Sequence, residues 1–285
     1  MPLQMRVSAP TTGKDLPIIL LSHGHGLSNN LSSLNGYGPL ANFWAAHGFV
    51  VIQPTHLSSK SLSLDSAIPG APLFWRARAE DMKHILDQLN HIEASVPGLK
   101  GRLDQSRVAI AGHSLGGHTT TMLMGARLTD KDGTVVDMTE PRFKAGIILA
   151  APGNGGADLS PFAAEHYPEL GLDFSGMKTP GLVVAGDKDA SAHLTVRGAD
   201  WHADPYFLST GPKSLLTLIG GEHGLGGISG YDAGETTDES PERVAVVQRL
   251  TWAYLWSALY PGDPAWTTAC SILEGLQDLG KVESK

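Results

Sequence analysis

Residues 107–118 read Arg-Val-Ala-Ile-Ala-Gly-His-Ser-Leu-Gly-Gly-His (RVAIAGHSLGGH). Arg107 to Ala111 is a short apolar run of the kind that forms a buried strand. It is followed by G-x-S-x-G, and a helical stretch is expected from Ser114 to Leu128. A serine set between a buried strand and a helix occupies a strained turn that lifts its Oγ clear of a sheet. Gly112 and Gly116 flank it because bulkier residues there would strike neighbouring backbone. The amides at the start of the following helix favour developing negative charge. Ser114 is therefore the candidate nucleophile.

Outward from this turn, short apolar runs alternate with longer amphipathic segments. Strands are expected at Pro17–Ser22, Phe49–Gln53, Ala145–Ala150, Pro180–Ala185 and Ser214–Ile219. Helices are expected at Pro39–His47, at Trp75–His91 and at Pro241–Leu259. In the second, Met82, Ile85, Leu86 and Leu89 fall on one face. The third opens on Ser240 as N-cap with Pro241 at its first position. Such alternation predicts an α/β fold: a mostly parallel central sheet with helices on both faces. The length of 285 residues suits one domain over 1–285. Residues 153–178 and 194–213 are long and irregular, and are expected to act as lid or cap loops.

Ligands of parallel sheets bind at the carboxyl ends of the strands. The run PIILLS ends in His23-Gly24-His25-Gly26. Acyl transfer builds an oxyanion, and one preorganised amide donor is worth roughly 10²–10³ in rate. The amides of Leu115 and His25 are the expected pair. A His-x-His pair can also bind zinc, but no third ligand stands at helpful spacing and H-E-x-x-H is absent, so no metal is expected.

The run GLVVA leads into Gly186-Asp187-Lys188-Asp189, and SLLTLI leads into Gly220-Gly221-Glu222-His223-Gly224. Ser, Asp and His thus follow in the order of a hydrolase triad. His223 is the candidate base. Asp189 is the preferred acid, because three residues past Gly186 let the loop turn back. Asp187 is the alternative, better suited to capping a turn. His113 is expected to shape the nucleophile turn, and His118 to pack. Phe74, Trp75 and Trp201, with Tyr206 and Phe207, are candidate walls of a substrate pocket. Arg76 and Arg78 are expected on a solvated helix start.

Together these stretches resemble the dienelactone hydrolase-like branch of the α/β-hydrolases, above all its platelet-activating-factor acetylhydrolase-like and chlorophyllase-like esterases. The resemblance spans roughly residues 15–260. LLSHGHG (20–26), AAHGFVVIQPTH (45–56), RAEDMKHILDQL (78–89), the nucleophile stretch (107–127), RFKAGIILAAPG (142–153), GLVVAGDKD (181–189) and GGEHG (220–224) carry it. It implies an α/β-hydrolase fold and a cofactor-free esterase. It places nucleophile, acid and base on Ser114, Asp189 and His223, and the oxyanion amides on His25 and Leu115. One departure stands out: dienelactone hydrolases use a cysteine where this chain has Ser114, which argues against dienelactone as substrate.

The formal net charge of −8 disfavours nucleic acid and anionic membranes as partners. The one cysteine, Cys270, allows no intrachain disulfide and fits a reducing compartment. No run approaches transmembrane length, and Met1–Asp15 holds no signal-like apolar stretch, so a cytoplasmic protein is expected. The expected chemistry is hydrolysis of a small-molecule carboxylic ester through an acyl-enzyme on Ser114. Amidase, thioesterase, lactonase and polyester hydrolase are alternatives, since each passes through the same oxyanion. A non-catalytic binder on the same fold is a third reading.

Overall fold

Alternate residues of each inner strand enter opposite cores, as a sheet covered on both faces requires. Ile18 and Leu20 enter one core with Val108 and Ile110. Ile19 and Leu21 enter the other with Ala109 and Ala111. The structure is a computed structural model and describes residues 2–26, 28, 30–130, 132–230 and 233–285.

The strands are β1 (Met5–Ser8), β2 (Leu16–Ser22), β3 (Val50–Pro54), β4 (Leu103–His113), β5 (Arg127–Thr129), β6 (Val135–Asp137), β7 (Phe143–Leu149), β8 (Leu172–Asp173), β9 (Gly181–Gly186), β10 (Lys213–Leu218) and β11 (Gly280–Ser284). The helices are α1 (Gly38–Ala46), α2 (Trp75–Asp87), α3 (Leu89–Ser95), α4 (Leu115–Leu123), α5 (Pro161–His166), α6 (Asp204–Phe207), α7 (Pro241–Leu259) and α8 (Ala265–Leu273). The main sheet runs β1-β3-β2-β4-β7-β9-β10-β11. Its six inner strands are parallel, and β1 and β11 close the edges antiparallel. Met82 and Ile85 of α2 and Met122 of α4 cover one face. Leu40 and Trp44 of α1, Val247 and Leu250 of α7 and Leu273 of α8 cover the other.

The expected α/β architecture is what the chain adopts, with three local differences. The helix after Ser114 stops at Leu123, not Leu128. Gly125 takes φ +112°, and Ala126 N–H donates to the Thr121 carbonyl at 2.9 Å, a helix-ending motif that glycine permits. The chain then enters β5, which pairs with β6 and β8 in a small antiparallel sheet. The helix expected over Trp75–His91 is two, α2 and α3, meeting at Gln88. The edge strands β1 and β11 carry no long apolar run, because their side chains are mostly left partly or fully exposed. Ser240 caps α7 as expected, accepting from Arg243 N–H at 3.2 Å.

β11 covers β10 over five paired positions, and Lys285 Nζ donates to the Ser209 carbonyl at 2.6 Å. Truncation before Gly280 bares a parallel strand edge. The truncated chain is expected to melt at lower temperature and to scatter light increasingly with concentration, by thermal melting and static light scattering.

Candidate active site

Ser114 stands between β4 and α4 as the residue just before the helix, with φ 55° and ψ −119°. A non-glycine residue is strained there, at a cost of about 1–3 kcal/mol. The turn is held by close packing. A Cβ on Gly112 would lie 2.0 Å from the Gly116 carbonyl oxygen, and one on Gly116 2.0 Å from that of Ser22. The nucleophile turn therefore presses directly on the end of β2.

Two other strand ends deliver partners to Ser114. His223, past β10, puts Nε2 2.9 Å from Ser114 Oγ. Its Nδ1 lies 2.9 Å from Oδ2 of Asp189, past β9. Asp189 is buried, whereas the His223 ring is 40% exposed, open to a substrate. Asp187 is used elsewhere: its Oδ1 accepts from Gly220 N–H at 2.7 Å and caps the turn before His223.

A second imidazole reaches the acid. His202 Nε2 lies 3.3 Å from Asp189 Oδ1, and its Nδ1–H donates to the Ala151 carbonyl at 2.8 Å. Ser191 Oγ stands between them, 3.0 Å from His202 Nε2 and 3.4 Å from Asp189 Oδ1. Burial alone would push the Asp189 carboxyl up, but the imidazoles of His202 and His223 packed against it hold it well below the usual carboxylate range.

A cleft of about 740 Å³ opens on Ser114. Leu73, Leu115, Phe162, Tyr167, Leu170 and Leu194 form an apolar wall, and Lys188, Glu222 and Glu235 lie among its polar lining. Much of the apolar wall comes from residues 153–178. His118 on α4 ties them down, its Nε2–H donating to the Glu169 carbonyl at 2.7 Å.

A chlorophyllase family profile matches residues 1–131, just under half of the chain. Cutinase 2 of Thermobifida cellulosilytica is 27% identical over 182 residues, covering 63% of this chain and 51% of its own length. Cutinase cut1 of Thermobifida fusca is equally similar, over 42% of its length. The chain thus spans about half the length of the curated relatives it matches. A solved ferulic acid esterase from Streptomyces cinnamoneus superposes with TM-score 0.51 at 20% identity, over 86% of this chain and 67% of that one. The chain has the α/β-hydrolase fold.

Within this fold, the aromatics expected to wall the pocket lie elsewhere. Trp201 is fully buried against Leu159 and Ala163, and its Nε1–H donates to the Asn154 carbonyl at 2.8 Å. It joins the segments 153–178 and 194–213 and does not line the cleft. Trp75 packs half-buried against the sheet core, and Phe74 borders a separate hollow with His25. Tyr206 lies in the core, while Phe207 is exposed.

Arg78 also departs from expectation, being fully buried. It donates to Thr119 Oγ1 at 3.1 Å, Ser58 Oγ at 2.5 Å and Ser22 Oγ at 3.0 Å, and to the His23 carbonyl. Burial lowers its pKa to about 9, so it stays charged at neutral pH. One signal was available: Arg78 stands four residues before Met82 and seven before Ile85, on the apolar face of α2.

The neighbouring polar groups form a continuous network. His56 Nδ1–H donates to Asp81 Oδ2 at 2.7 Å, and its Nε2 accepts from Ser22 Oγ at 3.0 Å. Tyr37 Oη accepts from Gly24 N–H at 2.9 Å and donates to His113 Nδ1 at 2.8 Å. His113 Nε2–H donates to the His223 carbonyl at 2.7 Å. His113, pushed down to about 3 chiefly by burial, thus shapes the nucleophile turn as a neutral ring and also ties it to the base loop.

Donor atoms of Asp189, His202 and His223 lie within 4.8 Å of one another, a spacing a cation could use. All three side chains are engaged in the hydrogen bonds above. Both ring nitrogens of His23 are likewise engaged, with Gly24 O and His56 N.

Burial raises the Asp81 carboxyl to about 6. A raised folded-state value favours the protonated form, so the stability it contributes is present below the ordinary value of about 3.9 and lost as pH rises through about 6. Asp81→Asn removes this titration. The melting temperature of wild type minus that of Asp81→Asn is expected to fall between about pH 4 and pH 7, by differential scanning calorimetry.

Proposed function

We propose that the protein is a serine hydrolase that cleaves carboxylic esters through an acyl-enzyme on Ser114. One observation carries this reading: an unbroken hydrogen-bond relay from Ser114 through His223 to Asp189, set on a strained turn at an open cleft. His223 Nε2 takes the Ser114 proton as Oγ attacks the ester carbonyl, then returns it to the leaving alcohol. Asp189 holds His223 in the Nδ1–H tautomer and stabilises the imidazolium. A second round, with water as nucleophile, releases the acid.

The amides of Leu115 and His25 are the proposed oxyanion donors. Leu115 is the first residue of α4, so its N–H has no carbonyl partner within the helix. Both residues line the cleft beside Ser114. The chemistry needs no cofactor. The cutinase relatives favour an ester over an amide or thioester. The apolar wall suits a substrate with one sizeable apolar portion.

A fluorophosphonate probe is expected to label wild type and not Ser114→Ala, read by intact mass; equal labelling of both would sink the assignment. In p-nitrophenyl ester assays, His223→Ala and Asp189→Asn are each expected to lose about 10³–10⁴ in turnover with the fold kept. Asp187→Asn should retain most turnover, since its carboxylate caps a turn. A reversed order for the two aspartates would move the acid to Asp187.

A further inference from the structure

The peptide joining Gly24 to His25 is gripped by one ring. His23 Nδ1–H donates to the Gly24 carbonyl at 2.6 Å. The opposite nitrogen, Nε2, accepts from the backbone N–H of His56 at 3.0 Å. A nitrogen that faces an N–H cannot carry a proton of its own, so the ring has one usable tautomer, protonated at Nδ1. Burial, with the Arg78 charge beside it, pushes this imidazole well below its ordinary value and keeps it neutral. His23 is 2% exposed and has no direct path to a substrate.

The peptide unit is planar and trans. Fixing the Gly24 oxygen therefore fixes the direction of the His25 N–H, which points the opposite way. The flanking peptide is held as well: the His23 carbonyl accepts from Arg78, and Gly24 N–H donates to Tyr37 Oη at 2.9 Å. The His23–Gly24 unit keeps both of these bonds when the ring is lost, whereas the Gly24–His25 unit loses the bond to its carbonyl and has a glycine about which to turn.

We propose that His23 is a positioning residue whose ring, set by the His56 amide, orients the Gly24–His25 peptide so that its N–H meets the oxyanion formed on Ser114. The inference rests on the hydrolase reading above. Losing the ring bond lets the peptide turn over and present its carbonyl oxygen, which repels the oxyanion. Ground-state binding along the apolar wall is untouched, so the loss falls on turnover and not on KM.

The test compares wild type, His23→Leu and His23→Asn in p-nitrophenyl ester kinetics and in inhibition by an alkyl trifluoromethyl ketone, which forms a tetrahedral adduct. His23→Leu is expected to lose about 10²–10³ in kcat with KM within about threefold, and to weaken the ketone by the same factor. An asparagine amide places an N–H near the position of Nδ1, so His23→Asn should recover kcat to within about tenfold of wild type. His23→Leu at wild-type turnover overturns the inference, as does a loss that leucine and asparagine share equally with KM rising in step. Where His23→Leu does not fold, nitrogen-15 NMR of the wild-type ring decides: an Nδ1–H neutral tautomer at pH 7 supports the inference, and an Nε2–H tautomer or an imidazolium overturns it. An inactive wild type with no labelling at Ser114 would remove the hydrolase reading itself. An active wild type beside a fully active His23→Leu removes only the role of His23.

Discussion

The site depends on contact between two backbones. The turn at Ser114 lies so close to the end of β2 that a methyl on Gly116 would stand 2.0 Å from the Ser22 carbonyl. Close-packed interiors transmit such constraints without slack. The contact brings the Ser114 hydroxyl and the Leu115 amide beside the loop that carries His23 and His25. It also holds Ser114 at φ 55°. The strain is offset by α4, every residue of which is buried between the sheet and its neighbours.

Behind this contact lies a buried polar layer. Burying a guanidinium or a carboxylate is costly unless each polar atom finds a partner. Arg78 meets four acceptors, His56 bridges Asp81 and Ser22, and Tyr37 bridges Gly24 and His113. Charged or neutral, these groups fix backbone directions: the His23 carbonyl, the Gly24 amide and the His223 carbonyl all end on side chains of the layer. A hydrophobic layer of the same volume could fill the space but could not set those directions.

The two faces of the site differ in how they are held. The nucleophile and base side is tied by short bonds within the sheet edge. The apolar wall is carried by segments between strands and is knitted in from outside. His118 holds Glu169, Trp201 holds Asn154, and Arg197 pairs with Asp158 and Asp204. Variation in the wall can therefore alter what fits the cleft without disturbing the relay.

Much of this was legible in the chain. The strand-to-helix passage through RVAIAGHSLGGH fixes its own turn, because only glycine tolerates the spacing at 112 and 116. Short apolar runs named the six inner strands, since a strand buried on both faces needs apolar residues at successive positions. The ends of those runs named His25, Asp189 and His223 as residues of one sheet edge. Tertiary structure decided the rest. Asp187 and Asp189 are alike in sequence, and only the path of the loop gives one to Gly220 and the other to His223. Trp201 resembles any pocket aromatic until its indole is found donating to Asn154. Arg78 reads as a helix-start cation until Ser22, Ser58, Thr119 and His23 surround it. Local patterns specify backbone periodicity, whereas a side chain's partners come from distant parts of the chain and exist only once the sheet has assembled.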